Sequence, residues 1–354
     1  MIQYRQRILL VFTIGLSFFS SGLHAQSTPT EFAEMSLQEL IKIDVDAEEK
    51  QEAQRRLVLS YQFKMVEFEG YLDGDSALSN DDVLWAGAGE TRNEKNFPVL
   101  PTVIDQQAHI FSAGYRVREN FRMNLQIPYL RQATDHISIV RGYDAFLIET
   151  QGLGDVVISA SQRLNQDGRP LWMSLGISVP TGSIDEKGDT PRAPGDQFLP
   201  YTMQLGSGTY DLPFEFHYHA VNRSGWDAAL GGTLRFGENK RNYRLGNTFK
   251  FSLSHHQKLL EKLTWSMGGL YSYSERIHGQ DDRLTVNAAF PFPASITNPA
   301  LFGGEKINVE LGLAYSIKDL FLVQFDIEKP LYQNLNGPQP KEQWRSSMYL
   351  SRVF

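Results

Sequence analysis

Beyond Arg55 the apolar positions of the chain recur at every second residue, and the period holds to Phe354. Such alternation marks half-buried strands, whereas helices repeat their apolar positions at three and four. The clearest segment places Leu171, Met173, Leu175, Ile177 and Val179 on one face, against Trp172, Ser174, Gly176 and Ser178 on the other. Leu212, Phe214, Phe216 and Tyr218 likewise oppose Pro213, Glu215, His217 and His219. About twelve such strands are predicted, at 55–68, 106–117, 121–129, 154–164, 170–180, 207–220, 225–236, 247–257, 262–273, 306–317, 320–329 and 343–354.

The connections decide how these strands assemble. Short turns are read at Arg118-Glu119-Asn120, at 165–169 with its Asp167-Gly168, at 221–224, at 257–261 and at Lys318-Asp319. Between them lie long polar connections near 70–105, 130–153, 181–206, 274–305 and 330–342, with a medium one near 237–246. A soluble sandwich gives no reason for every second connection to be long, and its edges would need protection. A membrane barrel with short periplasmic turns and long external loops does. The expected fold is therefore all-β, a transmembrane antiparallel β-barrel over 55–354 with both ends on the periplasmic side. Aromatics at the limits of the spans, such as Phe121 and Tyr129 or Trp226 and Phe236, fit the interfacial girdles of such barrels.

Residues 1–25 place Arg5 and Arg7 before an apolar stretch from Ile8 to Phe19 and a small-residue exit at Leu23-His24-Ala25. This is the layout of a secretory signal peptide cleaved after Ala25, too short for a full helical span. Residues 26–54 read as a polar, acidic periplasmic segment with one helix-like piece, where Ser36 and Glu39 have capping-box spacing. Secretion followed by barrel insertion places the expected protein in the outer membrane of a Gram-negative bacterium.

Composition narrows the function classes. The absence of cysteine removes disulfides, thiolate metal sites, a thiol nucleophile and a lipoprotein anchor. A formal charge of −7, with Lys and Arg scattered, leaves no footprint for nucleic acid. No apolar run near the length of a helical span follows the N-terminal stretch, which excludes a helical membrane protein but not a barrel, whose spans are half polar.

In a barrel the polar face of each strand is the interior. It presents Arg122, Asn124, Gln126 and Arg163 from early strands, and Glu215, His217, Arg235, Lys250, Glu310 and Asp326 from later ones. A selective ion pore would show a ring of one sign. Mixed signs suit either a narrow hydrated path or a lumen closed by ion pairs. One external segment is unusual: from Val286 to Phe302 there is no charge, and Phe290, Phe292, Ile296 and Phe302 make it apolar. It either packs on itself over the rim or forms a greasy mouth that takes up apolar or aromatic solutes.

Candidate chemistry is sparse. The Gly-rich stretches lack the Lys-Ser/Thr and the following helix of a phosphate loop. Glu215, His217 and His219 share one polar face and could offer metal ligands, but with no fourth ligand in the pattern a hydrogen-bonded cluster is favoured. Asp185, Glu186, Asp189 and Asp196 lack the spacing of a calcium loop and read as a solvated acidic loop. His109 falls on the outward face, where a barrel phospholipase keeps its Ser-His pair. The flanking outward residues are Tyr61, Phe63, Met65, Leu125, Ile127 and Tyr129, without a serine. No catalytic residue and no cofactor are expected.

The stretches Gly152-Leu153-Gly154-Asp155-Val156, Ser178-Val179-Pro180-Thr181-Gly182-Ser183 and Gln204-Leu205-Gly206-Ser207-Gly208 occur in that order at strand and loop boundaries. With the final strand they resemble the outer-membrane transporter family named for the meta (MetA) pathway of phenol degradation, from about Leu57 to Phe354. The resemblance implies a barrel that passes small, in part aromatic, compounds. The last strand, with Trp344, Met348, Leu350 and Phe354 on one face, resembles the signal read by the barrel-assembly machinery, although Arg352 departs from it. The expected partners are the lipid bilayer with its lipopolysaccharide, that machinery, and a small-molecule solute. The expected function is a channel for passive passage of small solutes; the alternative is a non-conducting structural or surface-binding barrel.

Overall fold

The computed structural model describes residues 56–354 apart from 88, 166–169, 220–223 and 318–320. The expected signal peptide and the segment 26–54 lie outside the described residues, as does much of the turns expected at 165–169, 221–224 and 318–319. The main strands are β1 (Leu57–Gly74), β2 (Val99–Arg118), β3 (Phe121–Ser138), β4 (Ala145–Leu153), β5 (Val156–Arg163) and β6 (Leu171–Val179). They continue as β7 (Asp211–Tyr218), β8 (Ser224–Arg235), β9 (Thr248–Leu260), β10 (Leu263–Ser274), β11 (Gly304–Ile317) and β12 (Phe321–Val353).

Each strand pairs antiparallel with its neighbours in chain order, and β12 pairs with β1 to close the ring. β4 stands outside the ring as an external extension, paired with the upper half of β3 while β5 pairs with its lower half. The ring thus contains eleven continuous elements. A closed, wholly antiparallel ring needs an even number, and β12 supplies the difference. Its first part runs antiparallel to β11 from Phe321 to Leu335, and its second part runs antiparallel to β1 from Leu335 to Val353. Since β11 and β1 run in opposite directions, β12 reverses near Leu335. Ser347 Oγ donates to Asp326 Oδ2 at 3.2 Å, and Arg345 Nε lies 3.8 Å from Glu328 Oε2, as two halves folded side by side require. The barrel has twelve staves, and its termini meet where Phe354 N donates to Leu57 O at 2.8 Å.

The faces are inverted relative to a soluble protein. On β6, Leu175 and Ile177 are 46% and 54% exposed, while Ser174 and Ser178 are 1% and 8% exposed. The same outward apolar band includes Leu125, Leu230, Leu253, Leu311 and Phe325. A belt of this size is stable only against hydrocarbon, where a closed barrel also satisfies every backbone donor and acceptor between strands. Among the described residues no helix is long and apolar enough to cross a membrane, so the crossing is made by strands. The chain is a transmembrane β-barrel of the outer-membrane type, with the strand ends that flank the short connections, and the described ends Arg56 and Phe354, at the periplasmic side.

Three expectations about boundaries are corrected. Much of 130–153, expected as a loop, is strand: β3 runs on to Ser138 and β4 pairs with it. β2 starts at Val99 rather than 106. The long connection expected at 330–342 is extended and paired, with only a close reversal inside it. The cause is visible on β3, where outward Met123, Leu125, Ile127 and Tyr129 give way to Arg131, Ala133 and Asp135. Beyond the bilayer the ladder continues but the outer face need not be apolar, so the alternation ends before the strand does.

The lipid face is tested by placing a charge on it. Leu311→Arg or Leu230→Arg is expected to destabilise the folded barrel by about 2–4 kcal/mol if the site lies at mid-bilayer, read as a lower urea midpoint in liposomes. An unchanged midpoint would mean that these faces do not meet lipid.

Candidate functional site: the external mouth and the lumen

The three glycine-containing stretches converge on one point at the external end of the wall. Asp155, between β4 and β5, accepts from Gly182 N at 2.9 Å through Oδ1, and from Ser207 N at 2.7 Å and Ser207 Oγ at 2.8 Å through Oδ2. Thr181 Oγ1 donates to Gly154 O at 2.8 Å and accepts from Val156 N at 3.0 Å. The glycines are required by closeness: a Cβ on Gly206 would fall 2.5 Å from Asp155 Oδ1, and one on Gly182 would fall 2.5 Å from Leu205 O. The two ends of the β6–β7 loop are thereby clamped to the wall.

The clamp turns this loop into the mouth. Gln106 on β2 and Gln132 on β3 face inward and donate to the carbonyls of Thr202 at 3.4 Å and Gln204 at 3.1 Å, while Thr150 Oγ1 donates to Met203 O at 2.9 Å. Leu205 packs against an interior apolar patch made by Val66, Phe68, Ile104, Ala108, Ile110 and Leu130. The expectation of a polar interior therefore fails at this level. Upper β1 and β2 turn apolar side chains inward because an inserted loop covers them.

The apolar segment 286–302 lies over the same mouth. Ile296 and Phe302 are buried in a cluster with Tyr201, Tyr243, Leu245, Ile277 and Leu284, with the Tyr201 and Phe302 rings 5.7 Å apart and edge-on. Phe292 packs on a second cluster around Tyr71, Phe97 and Leu100. Phe290, half-buried, has the Arg92 guanidinium 5.4 Å from its ring centre. Burial pushes the Tyr201 phenol up to about 12, and its oxygen accepts from Asp281 N at 3.0 Å. Asp281 also holds the fully buried Arg241 (Nε to Oδ2 2.6 Å), whose guanidinium lies 4.7 Å from the centre of the Phe198 ring. These loops form one packed cap.

Inside the barrel, the sequence-predicted lining residues alternate with the lipid-facing ones, but they are not scattered. Asp326 accepts from Gln324 and Ser347, and Glu310 lies opposite Glu328 in the β11–β12 register. Above them Glu342, 0% exposed, accepts from Arg345 at 2.6 and 2.8 Å and from Lys306 at 3.3 Å. Arg235 donates to Asp211 Oδ2 at 3.2 Å and to the Gly246 carbonyl, and Lys250 is buried on β9. Lower down, Gln126 is buried, Asn124 donates to Ser161 Oγ at 3.4 Å, and the Arg122 guanidinium lies 4.4 Å from the centre of the Trp172 ring. Trp172 sits between Arg163 and His217 in register, with Glu215 one step further up β7.

Glu215, His217 and His219, read from the sequence as a hydrogen-bonded cluster rather than a metal site, do not form a close ligand set among the described residues. His219 instead meets Asp227 from β8 and His256 from β9, with candidate ligand atoms all within 4.8 Å of one another. Sequence periodicity places these residues on polar faces but cannot say which strands adjoin. The acidic loop does not converge: Asp185 is paired with Lys240, and Asp189 accepts from Tyr143. His109 faces lipid, with its Nδ1 2.8 Å from the Tyr61 hydroxyl. A Ser-His contact that sequence reasoning missed, Ser224 Oγ to His255 Nε2 at 3.0 Å, lies at the opposite rim. There the His255 ring stacks edge-on to Trp226 and Trp265, as part of the interfacial girdle.

No model of a known family matches the chain, and no curated protein matches it. Among solved structures, an outer membrane channel from Pseudomonas putida F1 aligns over 88% of this chain and 98% of that one, with a TM-score of 0.56 and 12% identity. The ΔS2 mutant of the monoaromatic hydrocarbon channel TodX covers 87% and 93% at a TM-score of 0.43 and 9% identity. The transport unit of the autotransporter AIDA-I from Escherichia coli covers 93% and 99%, also at 0.43, with 7% identity. The first of these likenesses agrees with the fold derived above, an outer-membrane barrel.

Two measurements check the cap. Asp155→Ala removes an acceptor of three hydrogen bonds, each worth about 1.5–3 kcal/mol to a charged group. It is expected to expose the 180–210 loop to protease in intact cells while the barrel stays folded; unchanged resistance would show that the clamp is dispensable. His136, above the bilayer on β3, stacks on Phe146 at 4.6 Å, and burial pushes its imidazole down to about 4 from the ordinary 6.5. Because the folded state holds the neutral ring, its contribution is complete above pH 6.5 and fades as the pH falls toward 4. The His136 resonance is expected to titrate near 4 by NMR, and a midpoint at or above 6.5 would contradict the burial.

Proposed function

We propose that the barrel is an outer-membrane channel for passive passage of small solutes, with a preference for apolar or aromatic ones. The observation that supports this reading is the apolar mouth. An aromatic cap of Phe290, Phe292, Tyr201 and Phe302 sits directly above an apolar stretch of inner wall, Val66, Phe68, Ile104 and Leu130, before the lumen turns polar. A mouth of this kind lowers the desolvation cost of an apolar solute before it meets charge. The P. putida structure of similar fold is an outer membrane channel, and the resemblance to the phenol-pathway (MetA) family points the same way. In this reading the surroundings are the bilayer and its lipopolysaccharide, and the strand ending at Phe354 is presented to the barrel-assembly machinery.

The second reading, a non-conducting barrel, is favoured by Glu342, which is fully buried between Lys306 and Arg345. Such pairs close part of the lumen. Planar-bilayer recording and solute flux into liposomes separate the two: no conductance and no flux would sink the channel. Substrate preference is tested at Phe290 and Phe292, which are only half-buried. Replacing both by Ser is expected to lower uptake of an aromatic test solute several-fold and leave a small sugar unaffected. Phe302→Ala, in the packed core of the cap, removes a contact worth about 3–5 kcal/mol and is expected to disturb both solutes alike. Equal effects of the Phe290 and Phe292 changes on both solutes, or none on either, would remove the argument for apolar preference.

A further inference from the structure

Near the short-turn end of the lumen, three neighbouring strands bring two imidazoles and a carboxylate together. His217 opposes Ala229 and Tyr218 opposes Ala228, so one further step of the same ladder sets His219 against Asp227. Asp227 opposes Ser254, and Gly225 opposes His256, which makes His256 the diagonal neighbour of Asp227 on the same inward face. His256 Nδ1 lies 2.6 Å from Asp227 Oδ2, and His219 Nδ1 contacts Oδ1 of the same carboxylate. The two imidazoles are nearly parallel, with centres 5.3 Å apart, and they are 7% and 5% exposed.

We propose that His219, Asp227 and His256 bind one divalent transition-metal ion of the zinc class inside the barrel. Two imidazole nitrogens with one carboxylate suit a borderline ion such as Zn²⁺, whereas Ca²⁺ and Mg²⁺ take oxygen ligands. The ligands come from positions at or next to paired strands, whose ladder fixes their spacing without help from a flexible loop. At bond lengths of about 2.0–2.1 Å, donors around a tetrahedral ion stand roughly 3.3 Å apart, well within the 4.8 Å spread seen here. Closing around the ion needs the 2.6 Å contact to open by less than about 1 Å, a movement within reach of side-chain torsions. Three protein ligands leave a fourth position for water from the lumen. On the same inward face Lys258 follows His256 by two residues along β9, while Arg163 is separated from the site by Trp172 and the β7 face bearing His217 and Glu215. A bound ion cross-braces β7, β8 and β9 at the lower rim, independently of what the channel carries.

The test uses the full mature barrel folded in detergent, stripped with chelator and equilibrated with Zn²⁺ alone. One Zn²⁺ per chain is expected, with affinity at least tenfold weaker in H219Q/H256Q. H255Q, on the same strand but facing outward against Trp226, is expected to bind as the unchanged protein does. Co²⁺ in place of Zn²⁺ is expected to give the intense visible absorption of a four-coordinate site. Should the double variant fail to show heat-modifiable migration, Asp227→Asn takes its place, since Asn keeps an acceptor for one imidazole and loses the anionic ligand. Zn²⁺ retention that is absent, or equal in the variants, or a Co²⁺ spectrum like that of the free aqueous ion, would overturn the site and leave a purely hydrogen-bonded triad.

Discussion

The pairing of β12 with β1 is the interaction on which everything else depends. In hydrocarbon an unpaired peptide group has no water to fall back on, so a sheet can cross a membrane only if it has no edge. Closure by antiparallel neighbours demands an even number of staves, and the reversal inside β12 meets that demand. Once the ring is closed, the two faces of every strand are assigned. Apolar residues such as Leu175 and Leu311 go to lipid, and Ser174 and Glu310 go inward. The polar interior follows from closure rather than from any functional requirement.

What happens above the bilayer is set by a second, local constraint. The wall changes partner at Asp155, where β3 passes from β5 to β4, and this leaves backbone groups and a carboxylate at the rim. Gly182 and Ser207 supply N–H donors to that carboxylate, which is possible only because Gly182 and Gly206 let the chains approach within contact. A clamp at both ends of the β6–β7 loop leaves its middle free to turn inward. Leu205 then finds apolar partners on the inner wall, and the Met203 carbonyl accepts from Thr150 on β4. The three glycine-containing stretches are thus the parts of one clamp.

Most of the membrane-embedded fold was legible because lipid imposes a period on one face. Strands β5 to β11 were read to within a few residues, since Ile177, Leu230 or Leu313 can only be outward. The rest escaped for related reasons. At 130–138 and 330–342 the chain pairs in water or against loops, and no face has to be apolar there. Val66, Ile104 and Leu205 meet because a loop distant in sequence folds in, and no spacing encodes that. The contact of His219 with Asp227 and His256 depends on the register of two ladders, which alternation constrains only in parity. The apolar character of 286–302 was plain, but not that Ile296 and Phe302 lie in the core of the cap while Phe290 and Phe292 remain half-exposed.

The lumen is unequal around its circumference, and this bears on how a paired interior could still conduct. One group of buried ion pairs, Lys306 and Arg345 with Glu342, belongs to β11 and β12 beside β1, and Arg235 with Asp211 forms another on β8 and β7. Across the ring, β5 and β6 present Ser159, Ser161, Ser174, Gly176 and Ser178. Separating a buried pair leaves an uncompensated charge, at a cost of about 3–5 kcal/mol, so a path through either group would be slow. The hydroxyl-lined arc carries small side chains along its upper part, whereas at its lower end Trp172, Arg163 and Arg122 project inward. That arc lies directly beneath the Asp155 clamp and the loop it directs into the mouth. In the channel reading, a solute on this side would have to pass both that loop at the mouth and the Arg122–Trp172 stack at the lower end.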